Sequence, residues 1–320
     1  MKTTLPITVA IPTMNRPQTL QRTLQSYLEA DYLPAQIIVV DQSQTEQMQQ
    51  QNKQVLEQIL EDIQVNYIFQ KNPSLTMARN YALQKTVQKL LVCSDDDVEV
   101  YADTLKNVYD LFQNPQISMI AGLDDCAAKS TSKIGYLLGT KSFFKRKIGH
   151  VTASMLGRFP AQQVKGEVDT QWAMGFFFAV RTPLLKKWNI KWDENLTGYA
   201  YAEDLDFSYS YYKCAKKEGY RCVMSDKVHV KHLASQEYRI PSKKATYMYV
   251  CNRYYLAHKH SKGIKIYEHI FAMWWCNMAI LLYRFVKKQN PHDMWNAIYF
   301  CLGNSSQIKR GYFNYDSKKQ

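Results

Sequence analysis

Strand and helix signals alternate along the first 125 residues, and that alternation leaves few folds open to the chain. Apolar runs at 7–11, 36–41, 65–69, 90–94 and 117–122 are rich in Ile, Val and Leu and nearly unbroken at 36–41, as strands covered on both faces are. Helical stretches at 17–30, 45–61, 76–87 and 103–112 separate them; Asn15 is placed to cap the first, and Pro17 takes the favoured first-turn position. This βαβαβαβαβ order predicts an α/β fold with a doubly wound, mostly parallel sheet and right-handed crossovers. The Gln-rich segment 42–54 reads as a polar helix face.

At 320 residues with 46% hydrophobic content, the chain can bury the core of one large domain with an appendage. Seven cysteines are scattered, odd in number and without a CxxC pair, which argues against a disulfide framework or a zinc site and favours a reducing compartment. Residues 1–9 lack the long apolar stretch of a secretory signal, so the expected setting is the cytoplasm. A net charge of +13 would suit a nucleic-acid partner if it were spread over the fold. Instead, residues 241–320 hold 13 Lys and Arg against 3 Asp and Glu, while residues 1–240 hold 28 against 25, so no nucleic-acid partner is expected. The basic excess surrounds an apolar run at 270–283, with Lys262 and Lys265 before it and Arg284, Lys287 and Lys288 after it. Fourteen residues are short for a bilayer span, but Trp and Tyr between basic flanks suit an interfacial helix on an anionic membrane surface. A helix packed on the main domain or in a homodimer interface is the other reading.

The fourth apolar run ends in three adjacent acids, Asp95, Asp96 and Asp97. Adjacent like charges are costly unless a cation neutralises them, and oxygen ligands at a strand end suit a hard divalent ion, Mg2+ or Mn2+, carrying a phosphate. An acidic solvated loop leading into the next helix would look the same. Asp41 closes the second strand, so it and the three acids are expected along one crevice at the carboxyl ends of the strands, where α/β sheets bind ligands. Arg79 and Asn80, near the start of the preceding helix, suit a phosphate or the acidic cluster itself. No GxGxxG or GxxxxGK[ST] occurs, which argues against a dinucleotide site and a P-loop.

Ile11-Pro-Thr-Met-Asn-Arg16, Ile37-Ile-Val-Val-Asp41, Ala78-Arg-Asn80 and Asp95-Asp-Asp97 resemble the nucleotide-sugar half of family 2 glycosyltransferases, inverting enzymes of the GT-A fold. Met174-Gly175 through Val180-Arg181, Trp192-Asp193-Glu194, Glu203-Asp204-Leu-Asp206 and Val230-Lys-His232 are similar to the acceptor half, in the same order. The resemblance covers about 1–235 and implies a GT-A-like domain at 1–240, with a nucleotide-sugar half at 1–125, an acceptor half at 126–240, and a basic amphipathic helical extension at 241–320. It implies donor contacts from Pro12, Asn15, Arg16, Asp41, Arg79, Asp95 and Asp96, with Asp41 on the base. It implies Mn2+ or Mg2+ on Asp97, Asp95 and His232, and Asp204 beside Glu203 as the general base. The chain departs from the family pattern at Gln42, Met174 and Thr182.

The function so implied is metal-dependent, inverting transfer of a sugar from a nucleoside-diphosphate donor, a UDP-sugar first among them, to a saccharide or lipid-linked saccharide in surface-polysaccharide synthesis. The enzyme would then sit peripherally on the inner face of the cell membrane. A sugar-nucleotide nucleotidyltransferase is the rival enzyme, though Met14-Asn15-Arg16-Pro17 lacks the glycines its phosphate loop would want; a basic membrane-surface adaptor leaves the strand-end acids unexplained. Each site residue also has a plainer reading. The acids at 203, 204 and 206 could serve the helix dipole, His229 competes with His232, and Trp172, Trp192 and the tyrosines at 199, 201, 209, 211 and 212 could be core rather than sugar platforms. The segment 126–169, with basic residues at 141–147, is where acceptor specificity is expected.

Overall fold

Side chains on the central strand alternate between two cores. In β1 (Thr3–Thr13), Ile7, Val9 and Ile11 face one side of the sheet and Ala10 the other, because successive strand residues point opposite ways. The first side packs against α1 (Pro17–Glu29) through Leu20, Leu24 and Tyr27, and against α4 (Thr104–Leu111) through Leu105 and Val108. The second packs against α3 (Leu75–Lys85), α5 (Thr182–Trp188) and α6 (Glu203–Lys217), through Ala78, Leu185, Phe207 and Tyr211. Helices on both faces of one sheet give the doubly wound α/β architecture that the alternation predicts. The structure, a computed structural model, describes residues 2–57, 59, 63–127, 149–158, 164–234 and 241–313.

The remaining strands are β2 (Tyr32–Asp41), β3 (Gln64–Phe69), β4 (Leu90–Ser94), β5 (Val98–Val100), β6 (Ile117–Asp124), β7 (Glu167–Asp169), β8 (Phe177–Arg181) and β9 (Arg221–His232). They form one sheet in the order β3-β2-β1-β4-β8-β6-β9-β5, with β7 on β9. The half from β3 to β4 is wholly parallel, and antiparallel pairings enter with β8, β5 and β7. The chain runs outward from β1 to β2 and β3, then returns to place β4 on the other side of β1. The crevice between the carboxyl ends of β1 and β4 is therefore a topological switch point.

Several boundaries differ from expectation. The helix expected at 45–61 is α2 (Glu46–Leu56), begun by Thr45, whose hydroxyl accepts from the Met48 N–H. Asn15 does not cap α1: it lies at φ 57°, and its side chain accepts from the backbone of Gln44 instead. The strand β5 has no counterpart among the expected elements. The basic residues at 141–147 lie outside the described residues.

Two features shape the second half. Trp192 is fully buried and stacks on Phe207, with ring centroids 3.8 Å apart and planes at 4°. Asn80 clamps the Trp192 peptide, donating to its carbonyl and accepting from its N–H. Trp172, Trp192 and Tyr211 are thus core, whereas Tyr199 is 58% exposed. The C-terminal helices α7 (Ser242–His260), α8 (Lys265–Val286), α9 (His292–Gly303) and α10 (Ser305–Ile308) build a third core with Leu196, Ala200 and Leu205. The apolar run at 270–283 belongs to a 22-residue helix, long and apolar enough to cross a membrane by length and composition. One of its faces packs on the protein through Met273, Cys276 and Leu281.

Trp192→Ala should leave a cavity behind a stacked pair and cost about 3–5 kcal/mol, the usual range for truncating a buried aromatic. A urea unfolding midpoint within error of the wild type would contradict this account of the core.

Candidate active site

Adjacent in sequence, the three acids after β4 diverge in space. The turn is held by the Asp95 N–H, which donates to the Phe176 carbonyl at 2.9 Å, and by the Asp97 carbonyl, which accepts from Leu233 N–H at 2.9 Å. Asp96 points inward, accepting from the Thr13 hydroxyl at 2.7 Å and from Arg16 Nη1 at 3.0 Å, while its carbonyl accepts from Thr23. Burial pushes its pKa up to about 7 against the pull of Arg16. It ties β1 and α1 to the turn rather than facing the crevice.

Asp95 and Asp97 face the crevice with His232. One ligand atom from each lies within 4.8 Å of the others, and His232 Nε2 is 3.3 Å from Asp97. The antiparallel pairing of β5 with β9 makes this contact, because it sets His232 opposite Val98, just after the acids. Phe176 stacks on the imidazole at 5.1 Å, and Asp124 lies 3.8 Å from Nδ1, so the ring is oriented from behind as metal-bound histidines are. Burial disfavours the imidazolium, but Asp97, Asp95 and Asp124 outweigh it and raise the His232 pKa. Burial raises Asp95 to about 6, opposed by Arg79. Two carboxylates and an imidazole form a donor set that fits a divalent ion such as Mn2+. His229 is occupied elsewhere, bonded to Asp125 at 2.7 Å.

The second acidic group opens α6. Its N-cap, Ala202, has φ 66°, and Ala200 has φ 53°, left-handed positions that cost a residue with a Cβ on the order of 1 kcal/mol. This wound turn presents Glu203 and Asp204 at the helix N-terminus. Asp204 accepts from the Gly175 N–H at 2.9 Å and the Leu205 N–H at 2.7 Å; burial raises its pKa while those bonds restrain it. Glu203 is buried, and burial, with Asp204 and Asp95 nearby, raises it to about 8 against Arg79. Asp206 faces away, bonded to His260 at 2.7 Å and Lys259 at 2.8 Å.

Arg79 joins the two groups. It lies in the second turn of α3, not at its start, and is 3% exposed. One nitrogen donates to Asp95 and to the Gly175 carbonyl, both at 3.0 Å, and another lies 3.4 Å from Glu203. A Cβ on Gly175 would sit 3.0 Å from Arg79 and 3.3 Å from Glu203, closer than most such contacts, so glycine gives this approach its room. The sequence offered Gly175 only as part of a motif, with no sign of this packing.

The other expected donor contacts line the ends of β1 and β2. Pro12 is buried and in register with Val40. Asp41 is fully buried, accepting from Ser43 N–H and Tyr67 hydroxyl, each at 2.8 Å; each oxygen keeps a further lone pair. Asn15 bonds the 43–44 turn, and Arg16 pairs with Asp96 and, at 3.7 Å, Asp97. Gln42 accepts from Ser74 N–H at 2.6 Å, joining the end of β2 to the start of α3.

The family model described as glycosyl transferase family 2 matches residues 8–185. No curated protein sequence matches the chain. Among solved structures, S. aureus TarS 1–349 is 18% identical with a TM-score of 0.59, covering 96% of this chain and 81% of that one. A Pyrobaculum calidifontis mannosyltransferase in complex with GDP-Man and Mn2+ is 14% identical with a TM-score of 0.54, covering 95% and 80%. GalNAc-T7 with UDP, GalNAc and Mn2+ is 17% identical at 0.57, covering 88% and 57%. All three have the GT-A fold, which this chain shares.

The raised Glu203 pKa has a stability consequence. The folded state holds this proton between the ordinary Glu value and about 8, where the unfolded chain has released it, so stability should fall as pH rises through that window. Glu203→Gln should flatten the fall, gaining over the wild type at pH 8.5 relative to pH 5.5 in thermal unfolding. Parallel curves for the two proteins would refute the assignment.

Proposed function

Because the chain belongs to glycosyl transferase family 2, we propose that this glycosyltransferase moves a sugar from a nucleoside-diphosphate donor, a UDP-sugar, to a saccharide or lipid-linked saccharide hydroxyl with inversion. The observation that carries the reading is the Asp95, Asp97 and His232 trio joined through Arg79 to Glu203 and Asp204. One group suits the diphosphate side of a donor and the other its acceptor side. Neither a nucleotidyltransferase nor a non-enzymatic adaptor accounts for the family match over residues 8–185.

Inverting transfer is a single displacement. The acceptor oxygen bonds to C1 of the sugar as the bond from C1 to the diphosphate oxygen breaks, and the hydroxyl proton passes to a base. Asp204 is that base: it is half-buried, its pKa is raised, and two backbone N–H groups fix its orientation. Glu203, buried 3.4 Å from Arg79, holds its proton more tightly than an ordinary Glu, and burial raises Asp204 in its own right. A divalent ion on Asp95, Asp97 and His232 would supply positive charge for the departing diphosphate. Arg16 and Arg79 hold the acids of that side in place, and Asp41 and Asn15 offer acceptor atoms toward the base and ribose. The nucleotides and manganese described for structures of the same fold support this reading. The acceptor, if lipid-linked, would be met from the cytoplasm at the inner face of the membrane.

UDP should raise the melting temperature with Mn2+ or Mg2+ and not in EDTA. Asp97→Asn should weaken that shift more than Asp96→Asn, whose target is the β1–α1 anchor. Equal stabilisation with and without metal would remove the ion from the reading. Asp204→Asn should keep donor binding while transfer falls on the order of 10²–10⁴-fold, the usual range for a lost general base. Turnover near the wild-type level would move the role to another group.

A further inference from the structure

Helix α8 has two apolar faces and uses one of them. Inward, Asn277 accepts from buried Arg253 at 2.8 Å, Met273 and Cys276 are buried, and Leu281 packs in the third core. Outward, Tyr267, Phe271, Trp275, Met278, Leu282 and Phe285 recur at intervals of three and four residues, so they form one stripe along the whole helix. Each is between 40% and 77% exposed. Trp295, Tyr299 and Leu302 on α9 repeat the spacing at 55–75% exposure. Contiguous apolar surface of this extent on a folded chain marks an interaction site.

Charge selects the occupant. Lys262 and Lys265 stand at one end of α8, Lys287 and Lys288 at the other, and Lys309 and Arg310 follow α10; all six are exposed. A face-to-face pair of identical chains would bring the same basic rim against itself, whereas an anionic bilayer complements both stripe and rim. The helix is long enough to span, but its inner face is committed. Asn277 is bonded inside, and the preceding α7 is anchored where Lys259 and His260 hold Asp206 of the catalytic helix.

We propose that the α8–α9 face docks flat on an anionic membrane, the aromatic stripe at the boundary between headgroups and acyl chains and the basic ends on the headgroups. Trp274 and Leu281 face the protein, and Phe271 and Trp275 enter the lipid. The inference deepens the membrane location proposed above and rests on it, but it is independent of the sugar transferred.

The test is co-sedimentation of the full chain with phosphatidylcholine–phosphatidylglycerol vesicles, beside vesicles of phosphatidylcholine alone. The wild type should bind the anionic vesicles, and less as salt rises. The pair Phe271→Glu and Trp275→Glu should weaken binding at least about tenfold, as should Tyr299→Glu on the other helix, because each buries charge at the interface. Metal-dependent UDP stabilisation should stay at the wild-type level in both variants, which separates loss of docking from loss of fold or of donor binding. A wild type that stays in the supernatant, or variants that bind as it does, would overturn the proposal. So would a wild-type dimer that Phe271→Glu converts to monomers without any vesicle binding.

Discussion

A buried guanidinium holds the centre of this protein together. Arg79 is sealed under Phe178 and Trp192, each ring centre 5.9 Å from its charged carbon, and it meets Asp95 just after β4, Gly175 before β8 and Glu203 at the head of α6. A charge so enclosed is tolerable only when paired, and the acids around it are tolerable only because it is there. Breaking such an arrangement by removing one partner typically costs about 3–5 kcal/mol, since an uncompensated buried charge remains. The two halves of the site therefore cannot move independently without exposing or stranding charge. Gly175 leaves room for this contact, and its backbone bonds Arg79 through the carbonyl and Asp204 through the N–H.

A second polar knot attaches the C-terminal helices to the same element. Asp206, two residues beyond Asp204, is 2% exposed and shared by Lys259 and His260; His260 in turn accepts from Lys213, and Lys259 also reaches Asp193. Burial favours the neutral imidazole, and the charges of Lys259 and Lys213 reinforce it, so His260 donates to the carboxylate as a neutral ring. The same Asp193 accepts from the Tyr255 hydroxyl. Helix α6, the loop at Asp193 and α7 are thus tied together, and α8 begins five residues after α7 ends. Whatever surface carries the outer face of α8 carries the orientation of the acidic pair with it.

The fold was legible where local physics decides. Period-two and near-continuous apolar runs located the five strands from β1 to β6 other than β5, and Pro17 located the start of α1. Family-like motifs brought Asp95, Asp97, His232, Glu203 and Asp204 forward as one candidate site, and the structure brings them into one region. The strand β5 was hidden because three residues, Val-Glu-Val, carry too little pattern to stand out from a loop. Yet its pairing with β9 carries His232 to Asp97 across more than a hundred residues.

By itself, then, the sequence determined most of the elements and the family, and it put forward the candidate groups, since these depend on residue type and on spacing along one chain. Direction was decided only by the tertiary structure. Asp96 is chemically the same as its neighbours, but Thr13 and Arg16 draw it into the core while Asp95 and Asp97 face the crevice. Arg79 reads on the page as a phosphate ligand or a partner for acids, and the enclosure by Phe178, Trp192 and Gly175 makes it the latter. The run at 270–283 is apolar but for Asn277, and packing against α7 and α9 divides it into a face inside the protein and a face outside. A side chain's orientation is set by what lies across from it, and what lies across is distant in sequence.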